Sequence, residues 1–226
     1  MIRTDHVDSW YAASAPEFPA QPELQGLHSA DVCILGAGIT GLSTAIELAE
    51  AGFSVIVLEA HRIAWGASGR SGGQAIFGFG CDQAKITAEV GLQSSRRMFD
   101  WSLEGLDLIK QRCAQYGIDC DCRDIHAHVP IKPRHIDELK TWQRDLAENF
   151  DYPLHWWDKA QLHAVMPNDR YLGALVDTRS GHLHPLKYTQ GLAKAALSLG
   201  VKIFEHSRVT QLIRGARPAL RTRQGE

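Results

Sequence analysis

Three glycines near the start of the chain stand at the spacing G-x-G-x-x-G, in the hexapeptide GAGITG. The first, Gly36, permits a tight turn out of a strand, and the second, Gly38, lets the backbone approach a diphosphate. The third, Gly41, lets the following helix pack closely on the sheet. Backbone N–H groups at the start of that helix would face the diphosphate, assisted by the helix dipole. The spacing therefore predicts a dinucleotide site.

A carboxylate follows these glycines at the distance that such a site requires. Glu59 ends the apolar run FSVIVLE, and an acid at this position accepts hydrogen bonds from the ribose hydroxyls of an adenosine. Its negative charge repels the 2′-phosphate of NADP, which makes NADP a poor candidate. FAD and NAD remain as the two cofactors that fit.

A second glycine-rich segment, residues 60–73 (AHRIAWGASGRSGG), begins immediately after Glu59. Its glycines would let the backbone lie close to a ligand that extends beyond adenosine diphosphate; they are Gly66, Gly69, Gly72 and Gly73. Ser68 offers a hydroxyl to the diphosphate, and Arg62 is a candidate contact for the adenosine or its phosphates. The interspersed Ile63 and Trp65 favour a packed loop. FAD needs this longer path, so the segment favours FAD over NAD.

The elements that must position these residues are a strand, a helix and a second strand. DVCILG (31–36) is a short apolar run, ITGLSTAIELAEAG (39–52) carries one apolar helical face, and FSVIVLE (53–59) is β-branched and apolar. A parallel pair of strands joined by a helix requires a right-handed crossover. The pattern predicts an α/β fold with a Rossmann-like, parallel-sheet FAD- or NAD(P)-binding domain.

The remainder of the chain alternates between helical and strand patterns. Helical periodicity runs from Thr87 to Tyr116, a helix is predicted from Pro133 to Asn149, and Asp158 with Gln161 has the form of a capping box. Further segments are predicted as strands (121–131, 152–157, 173–185), a helix (186–200) and two strands (201–215). The C-terminal LRTR followed by Gly and Glu predicts a hairpin that is entered and not completed.

The bulk composition excludes several function classes. Lys+Arg 24 against Asp+Glu 26 gives a net charge of -2, which argues against a nucleic-acid surface. No apolar run reaches membrane-spanning length, and the N-terminus has no apolar signal region. Five cysteines, an odd number, argue against a secreted disulfide framework. These features predict a cytoplasmic protein with reduced thiols and no membrane span.

Two H-x-H pairs, His126/His128 and His182/His184, are the strongest candidates for metal ligands. Each pair would share one strand face, but no third ligand stands at a suitable spacing. Ordinary strand histidines are the preferred interpretation, and no metal is predicted. No acid–base triad is required where a cofactor carries the difficult step. No catalytic residue is assigned, because the substrate-facing groups would come largely from strands that this chain lacks or from loops that the pattern does not place.

The segment DVCILGAGITGLSTAIELAEAGFSVIVLEAHRIAWGASGRSGGQ resembles the N-terminal FAD-binding region of D-amino-acid-oxidase-like FAD-dependent oxidoreductases. Four phrases are similar to the gamma-glutamylputrescine oxidoreductase branch of that family: SWYAASA, WGASGRSGGQ, GHLHPLKYTQGLAKAA and GVKIFEHSRVTQL. The likeness covers nearly the whole chain. Because family members continue well beyond residue 226, the chain resembles their N-terminal portion only.

The resemblance implies a set of cofactor contacts. Residues lining the diphosphate would be Gly36, Gly38, Ile39, Thr40 and Gly41, with Glu59 on the adenosine ribose, Arg62 nearby and Ser68 on phosphate. Gly72, Gly73 and Gln74 would approach the flavin ring. Val209, at the opening of the strand after FEHSR, would meet the adenine through its backbone.

The resemblance also implies a division of the chain. The expected parts are an N-terminal arm (1–30), the FAD-binding unit with its glycine loop (31–85), a helical part packed on it (86–120), a partial α+β substrate domain (121–185) and a return to the FAD domain (186–226). The implied activity is oxidation of a C–N bond in a small amine or amino-acid-like substrate to an imine and aldehyde, with dioxygen as electron acceptor. Two alternatives stay open, namely a non-catalytic FAD-binding remnant or subunit and an NAD-dependent dehydrogenase.

Overall fold

The computed structural model describes residues 6–226, which form seven α-helices and nine β-strands. The helices are α1 (Trp10–Ser14), α2 (Ile39–Glu50), α3 (Gln83–Val90), α4 (Leu92–Tyr116), α5 (Pro133–Phe150), α6 (Lys159–Val165) and α7 (Pro185–Ser198). The strands are β1 (Val32–Leu35), β2 (Val55–Leu58), β3 (Gln74–Ala75), β4 (Arg123–His128), β5 (His155–Trp157), β6 (Ala174–His182), β7 (Lys202–Phe204), β8 (Gln211–Ile213) and β9 (Ala219–Arg221).

The chain divides into two compact units. Unit 1 contains the described residues up to Gly73 together with Arg112–Asp121 and His184–Glu226, and unit 2 contains Gln74–Gln111 and Cys122–Leu183. The divisions therefore fall after residues 73, 111, 121 and 183, whereas the sequence suggested divisions after 30, 85, 120 and 185. The cofactor-binding and substrate-binding roles of the parts stay predictions.

Unit 1 is built on a three-stranded parallel sheet in the order β1-β2-β7. All four residues of the central strand β2 are buried, as is usual for parallel strands covered on both faces. Helix α2 connects β1 to β2 and buries Leu42, Ala45 and Ile46 on one face. The predicted strand–helix–strand unit and its parallel sheet are confirmed.

Unit 2 is built around β6, which pairs antiparallel with β3, β4 and β5. Strand β4 has an irregular register beside Ile125, whose φ is 79°. The larger hydrophobic cluster of this unit consists of Phe99, Leu146, Phe150, Tyr152, Leu154 and Leu175. This mixed α and β architecture agrees with the α+β character predicted for residues 121–185.

Helix boundaries show where local pattern was sufficient and where it was not. The capping box is confirmed, because Asp158 accepts from the Gln161 N–H and the Gln161 side chain accepts from the Asp158 N–H. The helical pattern predicted over Thr87–Tyr116 is confirmed, but Gly91 (φ 77°) divides it into α3 and α4. A left-handed glycine ends the first helix, and the apolar periodicity on its two sides concealed the break.

The C-terminal prediction of an incomplete hairpin is wrong. Strand β8 pairs with β9 from Gln211↔Arg221 to Ile213↔Ala219, and the connecting turn contains Gly215 (φ 142°). Gly225 then forms a bridge with Gly26, which secures the last described residues to the arm. Within residues 6–226, no helix combines the length and the apolar character needed to cross a bilayer.

Candidate cofactor site

The turn after β1 has the backbone that the glycine motif predicts. Gly36 adopts a φ of 99°, a conformation in which a side chain is strained, and its N–H donates to the Leu58 carbonyl at 2.8 Å. Gly38 caps α2 in an extended conformation, and the helix begins at Ile39. The N–H groups in the first turn of a helix have no partners within it, so they are available to an anion or to nearby side chains.

Gly41 is required by the packing of helix on strand. A Cβ placed there would lie 2.1 Å from the Gly36 carbonyl oxygen and 3.2 Å from Cγ2 of Ile34. The role predicted for the third glycine agrees with this geometry. Gly38 has a different neighbour, since its added Cβ would lie 2.7 Å from the Ser68 hydroxyl oxygen.

Ser68 connects the two glycine-rich segments. Its hydroxyl oxygen accepts from the Ile39 N–H at 3.0 Å, at the first residue of α2. The residue lies in the 3₁₀ turn Ala67–Gly69. The structure thus brings together Ile39 and Ser68, two of the residues that the sequence assigned to the diphosphate.

Glu59 is held beside the same turn by two hydrogen bonds. One carboxylate oxygen accepts from the Ala37 N–H and the other from the His61 N–H, each at 2.9 Å. Glu59 itself is half-buried. Each carboxylate oxygen has a second lone pair, so the group retains capacity to accept two ribose hydroxyls. The arrangement fits an adenosine ribose.

The second glycine segment, residues 60–73, is packed against the protein over part of its length. Ile63 and Ala64 are buried, and the Ala64 N–H donates to the Ala37 carbonyl at 2.9 Å. A Cβ on Gly69 would lie 2.3 Å from the Ala64 carbonyl oxygen. The packed loop predicted from Ile63 and Trp65 agrees with this geometry.

Two glycines of this segment have no steric requirement from the protein. A Cβ placed on Gly66 or Gly72 would meet no described atom within 4 Å. Gly73, in contrast, is buried and has a φ of 69°, which favours glycine. Open space at Gly66 and Gly72 fits a ligand passing close to the backbone. Gln74, the remaining predicted flavin contact, begins β3 in unit 2, where it is exposed and paired with His182.

Arg62 is engaged by the protein itself. Its Nε donates to Glu205 at 3.1 Å and its Nη2 donates to the Phe18 carbonyl at 2.8 Å. Glu205 is fully buried and also accepts from the N–H groups of Gln21 and Ile63. The guanidinium thus compensates a buried carboxylate that the sequence analysis did not single out, and its predicted contact with adenosine stays a prediction.

Val209 lies outside the strand it was expected to open. Strand β8 begins at Gln211, because the chain after β7 turns at His206 (φ 54°) and Ser207 donates its N–H to the Glu59 carbonyl at 2.7 Å. Val209 is half-buried against the cluster formed by Leu24, Ile56, Leu58 and Phe204. Its predicted approach to the adenine stays a prediction.

The sequence analysis missed a stack of cationic and aromatic side chains beside Glu59. The ring of His61 is buried and stacks on Trp65, with ring centroids 3.9 Å apart, and the guanidinium of Arg70 lies 4.2 Å from the centroid of the Trp65 ring. Arg208 donates to Nε2 of His61 at 2.8 Å. No periodic pattern signals this stack, since Arg208 lies 147 positions from His61.

The tautomer of His61 follows from this contact. Arginine only donates, so Nε2 accepts and Nδ1 carries the proton of the neutral ring. Within the described part of the chain, Nδ1 is buried and has no hydrogen-bond partner. Burial first, and then the charge of Arg208, lower the pKa of His61 below its ordinary value of 6.5. The ring is therefore neutral at pH 7.

The H-x-H pairs have structural partners. His184 caps α7, with Nδ1 accepting from the Lys187 N–H at 3.2 Å, and its Nε2 lies 3.0 Å from the Ser14 hydroxyl. His126 and His128 pack edge to face in β4. Among residues 6–226, no group of three His, Cys, Asp or Glu side chains is placed to hold a metal ion.

Comparison with known protein families identifies the family of this chain. Residues 31–226 match the family described as FAD dependent oxidoreductase. The chain belongs to this family. FAD is the cofactor of the FAD-dependent oxidoreductases, and the glycine turn, Glu59 and the open path at Gly66 and Gly72 fit that cofactor.

Two relatives confirm the resemblance found in the sequence. The chain is 43% identical over 210 residues to the probable oxidoreductase OrdL of Haemophilus influenzae, covering 92% of this chain and 49% of that protein. It is 37% identical over 223 residues to the gamma-glutamylputrescine oxidoreductase of Escherichia coli, covering 99% of this chain and 52% of that protein. The chain thus spans about half the length of the curated relatives that it matches.

Solved structures agree on the fold. The L-amino acid deaminase of Proteus myxofaciens superposes with a TM-score of 0.76 at 25% identity, covering 92% of this chain and 46% of that one. The glycine oxidase of Geobacillus kaustophilus gives a TM-score of 0.69 at 22% identity, with 87% and 52% covered. The fold is therefore that of FAD-dependent oxidases.

Proposed function

We propose that the chain binds FAD through unit 1 and takes part in oxidising a C–N bond of a small amine or amino-acid-like substrate. The observation that carries FAD binding is the convergence of the glycine turn, Glu59 and Ser68 at the carboxyl ends of β1 and β2. Open crevices at such strand ends are where α/β sheets bind nucleotides. The relatives named above support the amine substrate, with a gamma-glutamylputrescine-like compound as the first to be tested.

The candidate site residues of unit 1 each have a part in this proposal. The N–H groups of Thr40 and Gly41 bind diphosphate oxygens, because a helix N-terminus favours negative charge. Ser68, whose hydroxyl oxygen accepts from the Ile39 N–H, donates its own hydroxyl proton to the diphosphate and holds Ile39 beside it. Glu59 orients the adenosine by accepting from its ribose hydroxyls. Gly72 and Gly73 leave room for the backbone to follow the cofactor toward its flavin end.

In the proposed reaction a C–H bond beside an amine nitrogen is oxidised, and the resulting imine is hydrolysed to an aldehyde and ammonia or a smaller amine. Dioxygen is reduced to hydrogen peroxide, which balances the two electrons removed from the substrate. When bound, FAD supplies the two-electron acceptor between them. A cytoplasmic location remains part of the proposal.

The first experiment separates FAD from NAD. The purified chain is incubated with FAD, passed through a desalting column and examined by visible absorption. We expect retained flavin bands, whereas a colourless protein after FAD incubation would contradict the proposal. A parallel incubation with NAD, followed by the same column, tests the dehydrogenase alternative.

The second experiment separates amine oxidation from FAD binding alone. Peroxide release is measured on the FAD-loaded chain with gamma-glutamylputrescine and with simple amines. We expect release with an amine substrate, and retained FAD without any peroxide would favour the non-catalytic alternative. Failure of the second experiment alone would therefore leave FAD binding in place and contradict only the proposed oxidation.

Glu59→Ala tests the ribose contact directly. We expect the Kd for FAD to rise about tenfold or more, because hydrogen bonds to a charged acceptor contribute about 1.5–3 kcal/mol. Isothermal titration calorimetry measures the change, with Glu89→Ala on the exposed face of α3 as the matched control. An FAD affinity equal to that of the unaltered chain would remove Glu59 from the site.

A further inference from the structure

Two cysteine side chains lie in contact where α4 ends. The sulfur atoms of Cys113, in the last turn of α4, and Cys120, in the segment that follows, are 3.6 Å apart. A disulfide bond is about 2.05 Å long, so closing it requires the sulfurs to approach by about 1.5 Å. Rotation of the two side chains supplies movement of this size.

The backbone holds the two thiols together over a short loop. Gly117 adopts a φ of 61° and the Ile118 N–H donates to the Cys113 carbonyl at 2.9 Å, which turns the chain back on the helix. The Cys120 carbonyl in turn accepts from the His184 N–H at 2.7 Å. Both sulfurs are therefore positioned by bonds that do not involve the thiols.

The two thiols differ in exposure. Cys113 is partly exposed, whereas only 1% of Cys120 is exposed. A small oxidant would thus reach Cys113 first, and Cys120 would be the neighbouring group that completes the reaction. This division between an attacked and a resolving cysteine is the arrangement found at reversible redox sites.

We propose that Cys113 and Cys120 form a reversible dithiol–disulfide pair that is oxidised by hydroperoxides. The Cys113 thiolate attacks a peroxide oxygen, the O–O bond breaks and hydroxide leaves, giving a sulfenic acid. Cys120 attacks the sulfenic sulfur, and water leaves as the S–S bond forms. One hydrogen peroxide and two thiols thus give one disulfide and two waters, and the two sulfurs supply both electrons.

The cysteine pair lies next to a residue, Arg112, that contacts α2, the helix that follows the glycine turn. Arg112, adjacent to Cys113, is buried and donates to Glu47 at 2.6 Å and to Ser43, both on α2. Ile118 packs so tightly on α7 that a Cβ at Gly191 would lie 2.3 Å from its Cγ2. A disulfide would therefore fasten a segment that already contacts α2 and α7.

Mass spectrometry tests the proposal on the full chain. The reduced protein is treated with hydrogen peroxide, denatured, alkylated and digested. We expect a Cys113–Cys120 cross-linked peptide, a fall in alkylated cysteines from five to three, and recovery of all five after reduction. Without added FAD or substrate the result does not depend on the proposed function.

Matched variants distinguish this pair from its competitors. Cys122→Ser and Cys81→Ser should leave the cross-link unchanged, whereas Cys113→Ser and Cys120→Ser should each remove it. A Cys120–Cys122 link, an intermolecular disulfide, or oxidation confined to the exposed Cys33 and Cys81 would overturn the proposal.

Hydrogen exchange provides a readout beyond the covalent bond. Oxidation should slow amide exchange in residues 114–121 of the unaltered chain and leave exchange in the Cys113→Ser variant unchanged, because the cross-link restricts opening of that loop. Equal amide exchange in the reduced and oxidised protein would show that the disulfide does not restrict opening of residues 114–121.

Discussion

The two glycine-rich segments of unit 1 follow consecutive parallel strands, and the second contains open glycine positions as well as glycines that the protein requires. In the first segment, residues 36–41, the protein itself demands glycine at Gly36 and Gly41, through a positive φ and a clash with a backbone carbonyl. In the second segment, residues 60–73, the protein likewise constrains Gly69 and Gly73, whereas Gly66 and Gly72 have open space around them. Glycines that the protein requires can therefore be distinguished from glycines at open positions, for which a ligand contact is proposed.

The largest expected effect comes from Gly41→Ala. The added Cβ would lie 2.1 Å from the Gly36 carbonyl oxygen, so helix and strand must separate. We expect a loss of about 3 kcal/mol in the free energy of unfolding, at the upper end for overpacked sites. Urea denaturation of the chain without FAD measures it.

The matched control is Gly105→Ala on α4, where an added Cβ meets no described atom within 4 Å. This change should raise the free energy of unfolding by about 0.5–1 kcal/mol, because alanine favours a helix more than glycine does. Equal stabilities for the two variants would contradict the packing role of Gly41.

Gly72→Ala is the counterpart in the second segment. The free energy of unfolding without FAD should change by less than about 0.5 kcal/mol, because no protein atom occupies the space. The Kd for FAD should rise about tenfold, since overpacking at a binding surface costs about 1–3 kcal/mol. Fluorescence titration with FAD measures the affinity.

Gly80→Ala is the control, because it also adds a Cβ to an open position, in unit 2. Gly80→Ala should change neither the free energy of unfolding nor the Kd for FAD. If Gly72→Ala and Gly80→Ala bound FAD equally well, the open space at Gly72 would have no connection with the cofactor.

The smallest expected effect is a decrease in the free energy of unfolding at acidic pH. The pKa of His61 is lowered by its burial, so the unfolded chain binds the proton more readily than the folded one. The free energy of unfolding should therefore fall as the pH drops below 6.5 and be fully restored above it. Burial also lowers the pKa values of His128 and His184, which act in the same direction.

His61→Asn isolates the contribution of the second segment to this pH dependence. Between pH 6.5 and 5 the loss of unfolding free energy should be smaller in His61→Asn than in the unaltered chain. Urea denaturation across this range provides the measurement. A slope unchanged by His61→Asn would place the acid sensitivity elsewhere.

Patterns of residues close together in the sequence made part of the fold and of the cofactor site predictable. The glycine spacing, the acid at the end of β2 and the capping box at Asp158 depend on residues within a few turns of one another. Each therefore leaves a pattern that short-range geometry can interpret. The break at Gly91 escaped because one left-handed residue can divide a helix without disturbing the periodicity on either side.

The remaining parts depend on partners far apart in the chain. Glu205 lies 143 positions from Arg62, and Arg208 lies 147 positions from His61. Such pairs are formed when β7 adds to the sheet beside β2, and no local pattern records that event. Arg62 consequently received a cofactor role from its position in the sequence, although a buried carboxylate is its nearest charged neighbour.

Glu205 also bears on how the folding unit should be delimited. The family match begins at residue 31, yet this buried carboxylate accepts from the Gln21 N–H, and its charge is balanced by an arginine that also holds the Phe18 carbonyl. Leu24, only 1% exposed, packs in the cluster with Ile56, Leu58 and Phe204. Its N–H donates to the Ser207 hydroxyl. A fragment designed to start at the family boundary would discard hydrogen-bond donors and core volume, so a fragment made for expression should retain the arm from Phe18 onward.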